Sequence, residues 1–386
     1  MGSPSLWILT RDFPPHPSGG VRRAGALTEQ LRRLGFAVTV ISSNGNPDQT
    51  YPAIAARLKQ LAAAARLGRA FRQAVRLSPL PDESALDWPG ILAATRKLER
   101  PDLIVATAPP HSLFLAAEVL ARRLGCRWVA DFRDPWTRYP DFRAASPIHR
   151  RWAVALERHV VAHADGFMVA TNLMGRDLAE RAAGKPVHVF LNGYDPGLFR
   201  AVPAHVPGNP PVVGFYGSLY GAIDPDPLVR AVARAGAILE HAGTDYDGAL
   251  GKSAARHGAT LRSLGMLPGA DAVQRMQTAD VLGLVIPDRP EWNHHRSQKL
   301  AEYLASGRPI LAIVPPHGEA GELIRGLDAG VVVSWSETVR AAEAIKELAL
   351  RENRPTAPAE LSWESQAIAA AEFLRARASA GSRSEP

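Results

Sequence analysis

Asn293-His294-His295-Arg296-Ser297-Gln298-Lys299-Leu300-Ala301-Glu302-Tyr303-Leu304-Ala305-Ser306-Gly307-Arg308-Pro309-Ile310-Leu311 is the stretch that decides how this chain is read. A polar segment rich in His, with a Lys, opens directly into a short helix. Gly307 stands where that helix stops, and Pro309 introduces an apolar strand, Ile310 to Val314. Leu300, Tyr303 and Leu304 flank Glu302, so its carboxylate lies on or beside a buried helical face. A carboxylate there needs a partner, and either a ligand hydroxyl or an internal arginine would serve.

The same alternation of short apolar runs with helical patterns extends in both directions. Leu6 to Leu9 reads as a first buried strand, followed by a Pro/Gly loop and a helix from about Val21 to Leu34. Gly35 ends that helix and Ala37 to Ile41 forms the next strand; Leu103 to Ala106, Trp128 to Ala130, Gly166 to Ala170 and Val187 to Phe190 follow. Each gap is long enough for a crossover helix, as parallel βαβ units require. The run from Arg200 to Pro211 is Pro-rich and aperiodic, which suits a linker. A second series then begins, with strands at Val212 to Tyr216, Ala237 to His241, Leu261 to Leu264, Val281 to Ile286, Ile310 to Val314 and Gly330 to Val333. The expected architecture is α/β: two doubly wound, Rossmann-like domains in tandem, facing a cleft. The expected divisions are 1–200, a linker at 201–211, 212–362, a tail helix at 363–378 and a disordered tail at 379–386.

Composition narrows the function. The 386 residues are 46 % hydrophobic and 22 % charged, enough for two ordinary cores. A net charge of +7 favours an anionic partner, and with no nucleic-acid module signature that partner is a small molecule or a membrane surface. Cys126 is the only cysteine, which excludes an internal disulfide and fits a reducing cytoplasm. Neither a signal peptide nor a membrane span is expected; the protein is read as cytoplasmic, with peripheral contact to the inner membrane face as an option.

Several loops fall at the carboxyl ends of predicted strands, where open α/β sheets bind ligands. In Asp12 to Arg22, Gly19 and Gly20 let backbone N–H groups approach an anion at a helix N-terminus; a plain Gly/Pro turn reads equally well. His111, in Ala108-Pro109-Pro110-His111-Ser112, is placed to hydrogen-bond a sugar hydroxyl or simply to begin a helix. In Asp131-Phe132-Arg133-Asp134-Pro135-Trp136, Asp134 suits an acceptor-orienting or basic role, while Asp131 and Arg133 suit a structural ion pair. Gly217 and Ser218, after the first strand of the second domain, present backbone to a diphosphate or form a turn. His149, His159 and His163 share a helical stretch without an accompanying carboxylate, and are read as surface or core histidines rather than metal ligands. Residues 51–77 carry six Arg or Lys and no acid; from Arg66 to Arg76 the arginines oppose an apolar face, as on a membrane-surface helix or a solvated basic face.

Taken in order, these segments resemble the large retaining glycosyltransferase family of GT-B fold (family 4-like), closest to the branch acting in bacterial surface-polysaccharide assembly. Gly19-Gly20, Pro110-His111, Asp131 to Trp136, Asn192-Gly193-Tyr194-Asp195, Thr278-Ala279-Asp280-Val281, Lys299 to Pro309 and Ser362-Trp363-Glu364 carry the likeness. It implies that the first domain binds acceptor and the second a nucleotide-sugar donor. Gly20 then lies at the donor phosphates, His111 contacts the transferred sugar, Glu302 binds ribose hydroxyls, and Lys299 stands near the diphosphate. Met266 and Leu267 lie where the family holds the base, and the tail helix crosses back to the first domain.

Two departures stand out. His294 occupies the place of the family's first sugar-reading glutamate, and Ser218 replaces the Arg that usually follows Gly217, with Arg296 and Lys299 as candidate replacements for the missing charge. The resemblance implies metal-independent transfer with retention, without cofactor, of a hexosyl or N-acetylhexosaminyl group to a lipid-linked saccharide or a natural-product aglycone. Competing expectations are a nucleotide-sugar 2-epimerase of the same fold and a non-catalytic membrane-associated scaffold.

Overall fold

The computed structural model describes residues 3–16, 20–70, 81–140, 142–144, 146–199, 206–219, 221, 223–352 and 354–379. Gly19, most of the Arg66 to Arg76 segment and residues 380–386 of the expected tail lie outside them.

The chain divides into two compact units, Met1–Leu191 with Trp363–Pro386, and Asn192–Ser362. The first is built on a parallel seven-stranded sheet. Its strands are β1 (Ser5–Leu9), β2 (Ala37–Ser42), β3 (Gln49–Thr50), β4 (Leu103–Ala108), β5 (Arg127–Phe132), β6 (Gly166–Val169) and β7 (Val187–Val189), in the order β3-β2-β1-β4-β5-β6-β7. Every residue of β4 is buried, as a parallel strand covered on both faces must be. Alternate β1 residues serve opposite layers. Trp7 and Leu9 pack with Phe114 and Trp128, whereas Leu6 and Ile8 pack with Leu27, Leu31 and Leu374.

The helix Trp363–Ala378 completes that second layer. The Trp363 indole packs 5.9 Å from the Phe190 ring and the Arg375 guanidinium lies 4.6 Å over Phe36. The boundary falls at Leu191 rather than at Arg200, where the loss of periodicity placed it. Backbone pairing explains the shift: Tyr194 N donates to Leu361 O at 3.1 Å and Tyr194 bridges to Ser362, which holds residues 192–199 to the second unit.

The second unit carries β8 (Val212–Tyr216), β9 (Ile238–Ala242), β10 (Thr260–Ser263), β11 (Val281–Val285), β12 (Ile310–Ile313) and β13 (Gly330–Val333), all parallel, in the order β10-β9-β8-β11-β12-β13. Phe215, Leu228, Val232, Ile313, Ile345 and Leu348 belong to its core. In each unit strand order reverses once, between β1 and β4 and between β8 and β11. Those reversals are where an open α/β sheet splays its loops apart and receives a ligand.

Of the basic segment expected from Arg66 to Arg76, residues 68–70 are helical and 71–76 lie outside the described residues. The preceding helix, Ile54–Ala64, ends before Arg66, whose φ of 57° is left-handed. Among the described residues, no helix is long and apolar enough to cross a membrane.

Candidate functional site

At the β1/β4 reversal of the first unit, the loops after β1, β4 and β5 converge. His111 opens the helix Ser112–Leu124 and is held there by Asp82, which accepts from Ser112 N at 2.9 Å, Ser112 Oγ at 2.6 Å and Ser84 N at 3.0 Å. The anion at that helix start complements its dipole. The imidazole stacks on Trp136, with ring centroids 4.5 Å apart and planes at 11°, and meets the Phe114 ring edge-on at 6.0 Å. Its Nε2 is buried without a hydrogen-bond partner among the described residues. Burial and then the charge of Arg133 push His111 down to about 3, so the ring is neutral.

Arg133 is fixed by donation from Nε to Ala108 O at 3.2 Å and from Nη2 to Pro109 O. Its Nη1 rests on Gly20, where a Cβ would lie 1.5 Å away. Gly20 caps the helix Val21–Arg33 without a side-chain hydrogen bond, and no acid stands in the first turn. A guanidinium against the positive end of a helix makes this corner strongly anion-seeking. Asp134 lies beside Arg133; burial raises its carboxyl, opposed by the charges of Arg133 and Arg23.

The expected pairing of Asp131 with Arg133 is replaced by another. Asp131 is paired with Arg23, at 2.6 Å from Nη2 and 3.1 Å from Nε, both residues being almost wholly buried. Arg23 Nη1 also donates to Phe190 O. The partner comes from more than a hundred residues away, beyond the reach of local spacing.

At the β8/β11 reversal of the second unit, Gly217 leaves β8 with φ 127° and Gly243 leaves β9 with φ 142°. The two loops pack backbone on backbone: a Cβ at Gly243 would lie 2.5 Å from Gly217 C. Ser218 Oγ accepts from Thr244 N at 3.4 Å, and Gly265 O accepts from Gly243 N at 2.8 Å. Gly265, with φ 68°, leads into exposed Met266 and half-buried Leu267, which places both beside the Gly243 loop.

Lys299 begins the helix Lys299–Ala305, and its ammonium lies 3.8 Å from the Phe215 ring centroid. Its Cε and Nζ lie 2.6 and 3.2 Å from where a Gly217 Cβ would stand. Burial pushes Lys299 down to about 7, and among the described residues no carboxylate pairs with it. Tyr303 anchors the helix, its hydroxyl accepting from Tyr216 N at 2.9 Å.

Glu302, three residues after Lys299, is 8 % exposed and shares its side of the helix. Arg296 is equally buried, with Nη2 lacking a hydrogen-bond partner among the described residues; burial lowers its pKa, against the charge of Glu319. His294 is half-buried in the loop between them and the Pro290–Trp292 turn. A cavity of ≈ 220 Å³ lies nearby, lined by Leu219, Ile223, Asp224, Asp245 and Asp247. Its three carboxylates disfavour an anion there, whereas the Gly217–Lys299 corner presents a cation.

The structure thus brings Gly20, His111 and Asp134 to one corner of the first unit. It brings Gly217, Ser218, Lys299 and Glu302 to one corner of the second. Sequence reasoning missed Asp82, Trp136 as a stacking partner, Phe215 and Gly243. Only Gly243, a glycine two residues after a predicted strand, left a local signal.

Comparison with known proteins bears on the fold. Residues 18–193 match a family model described as a glycosyl transferase 4-like domain. HepE of Anabaena, solved in complex with UDP-glucose, superposes with a TM-score of 0.60 at 16 % identity, covering 96 % of this chain and 94 % of its own. The chain has the GT-B fold. Two further GT-B proteins superpose on this chain at 13 % identity. AviGT4, involved in avilamycin A biosynthesis, gives a TM-score of 0.57 over 98 % of this chain and 99 % of its own. The lipopolysaccharide outer core galactosyltransferase WaaB gives 0.55 over 96 % and 99 %. At such identities the likeness is one of fold. No curated protein sequence matches the chain significantly.

Proposed function

We propose that this GT-B glycosyltransferase moves a sugar from a nucleotide-sugar donor to an acceptor hydroxyl, with retention and without a metal. The observation that carries the proposal is Lys299: a buried ammonium with no carboxylate paired to it among the described residues, laid against Gly217 at the β8/β11 reversal. A diphosphate there restores the charge that burial penalises, and the ammonium stabilises the leaving group as the glycosidic bond breaks. Glu302, on the same side of the helix, accepts from ribose hydroxyls, and Met266 and Leu267 flank the base. Arg296 and Lys299 take the place of the cation missing after Gly217, where Ser218 stands.

His111 contributes a neutral imidazole whose unsatisfied Nε2 suits a sugar hydroxyl. Asp134, its carboxyl raised by burial, orients the acceptor hydroxyl. Gly20 offers the open N–H groups of its helix to the donor phosphates, with Arg133 adding charge. No carboxylate is assigned as nucleophile, so the departing phosphate itself receives the acceptor proton, on the face the acceptor attacks.

HepE's complex makes UDP-sugars the first donors to test, ahead of GDP- and dTDP-sugars, by ligand-induced thermal shift. The basic segment Arg57 to Arg69 and the kinship of fold with WaaB favour a lipid-linked saccharide acceptor at the inner membrane face, over a soluble aglycone. The decisive experiment is donor affinity in Lys299→Ala and Arg296→Ala, together with the anomeric configuration of the product by NMR. Unchanged affinity in both variants, or an inverted product, overturns the proposal; absence of any nucleotide binding points to a scaffold instead.

A further inference from the structure

The His pair on the helix Pro147–His163 has a carboxylate beside it after all, supplied by the neighbouring helix Ser112–Leu124. Glu118 is 4 % exposed, and its Oε2 lies 2.8 Å from His159 Nε2. His163 follows His159 by one helical turn, its ring centroid 4.0 Å away. One donor atom from each of Glu118, His159 and His163 lies within 4.8 Å of the others.

We propose that these three side chains bind a divalent transition-metal ion, zinc by their chemistry, which clasps the two helices together. Two imidazoles and one carboxylate are a zinc donor set, and they leave a fourth position for water at the protein surface. Magnesium and calcium prefer all-oxygen sites, so the imidazoles select against them.

The surroundings support ligation. His163 Nδ1 donates to His159 O at 2.8 Å, which fixes the tautomer and leaves Nε2 as the nitrogen carrying the lone pair. Arg122 Nη2, 2.8 Å from Glu118 Oε1, orients the carboxylate and leaves Oε2 toward the histidines. At zinc bond lengths tetrahedral ligand atoms stand about 3.3 Å apart, so His159 and Glu118 need separate by only a few tenths of an ångström. The site is remote in sequence from the donor residues and independent of the donor chemistry, yet it fastens the helix that begins at His111.

The test is a cobalt titration of the full, tag-free chain, followed by displacement with zinc. One equivalent per chain, with visible absorption of a low-coordinate cobalt centre and a melting temperature that rises with zinc, is the expected result. His163→Ala and His159→Ala each weaken binding ~10-fold or more. His149→Ala, on the same helix but hydrogen-bonded to Ser146 instead, leaves it unchanged. Equal affinity in His163→Ala and the parent, or no stoichiometric uptake, overturns the proposal; circular dichroism of the surface variants confirms that they fold.

Discussion

Gly217 and Lys299 are fitted to one another: a Cβ on Gly217 would lie 2.6 Å from Lys299 Cε, and the residue's φ of 127° strains any L side chain there. Gly217→Ala is therefore expected to displace the ammonium and to weaken donor binding with little change in the fold's other contacts. Lys299→Ala removes a charge-assisted contact to phosphate worth about 2 kcal/mol, ~30-fold in affinity. Titration calorimetry with the nucleotide diphosphate checks both; tight binding by Gly217→Ala contradicts the fit.

The same lysine predicts a pH dependence. Burial pushes Lys299 down to about 7 in the free protein, and a bound diphosphate favours its charged form. Donor binding is then strong below pH 7, takes up a proton above it, and weakens by up to about tenfold per pH unit as pH rises through 7 to 9. Affinity measured from pH 6 to 9 in Lys299→Arg, whose guanidinium stays charged, is expected to lose that slope.

Much of this is legible in the sequence alone. β8 and β13 fall where alternating apolar runs placed them, and the helix beginning at Lys299 ends before Gly307, whose φ of 70° suits the helix stop. Local patterns fix local elements, because burial on a sheet face imposes its period on the sequence. The partners of the loop residues were not legible. Asp131 meets Arg23 instead of Arg133, and Glu118 meets His159 across two helices, because such contacts are set by where strands lie in the sheet, not by spacing along the chain. The two-residue strand β3 was missed because Gln49-Thr50 has too few residues to show a period.

Asp131 and Arg23 form a buried, bidentate pair, so removing one partner leaves an isolated charge. Asp131→Ala is expected to destabilise the first unit by about 3–5 kcal/mol. Burial alone would raise the Asp131 carboxyl, but the adjacent Arg23 prevails and holds it below the ordinary carboxylate value. The folded value being depressed, the pair's contribution is present above the unfolded pKa of about 4 and is lost as pH falls below it. Urea unfolding at pH 7 and pH 3 measures the difference, and Asp131→Ala is expected to narrow it.

His111 and Trp136 lead to the last prediction. The imidazole is neutral because burial and Arg133 push it down to about 3, and stacking on Trp136 holds its plane at 11° to the indole. A ring that contacts the transferred sugar through Nε2 then donates or accepts one hydrogen bond throughout the working pH range. Turnover between pH 5 and 7 is accordingly expected to show no inflection attributable to His111. His111→Ala, which removes both the hydrogen bond and the stacked face, is expected to lower kcat by roughly 10- to 100-fold, the scale of one or two lost polar contacts strengthened in the transition state. Trp136→Phe keeps an aromatic face but shortens the stack, so a smaller loss is expected. An equal loss in the two variants would show that the indole acts on the sugar directly rather than by orienting His111. Parallel pH–rate profiles of the parent and Trp136→Phe decide whether the neutral state of the imidazole depends on the stack. An inflection near pH 6 that appears in Trp136→Phe alone means that the indole supplies the burial that keeps His111 uncharged.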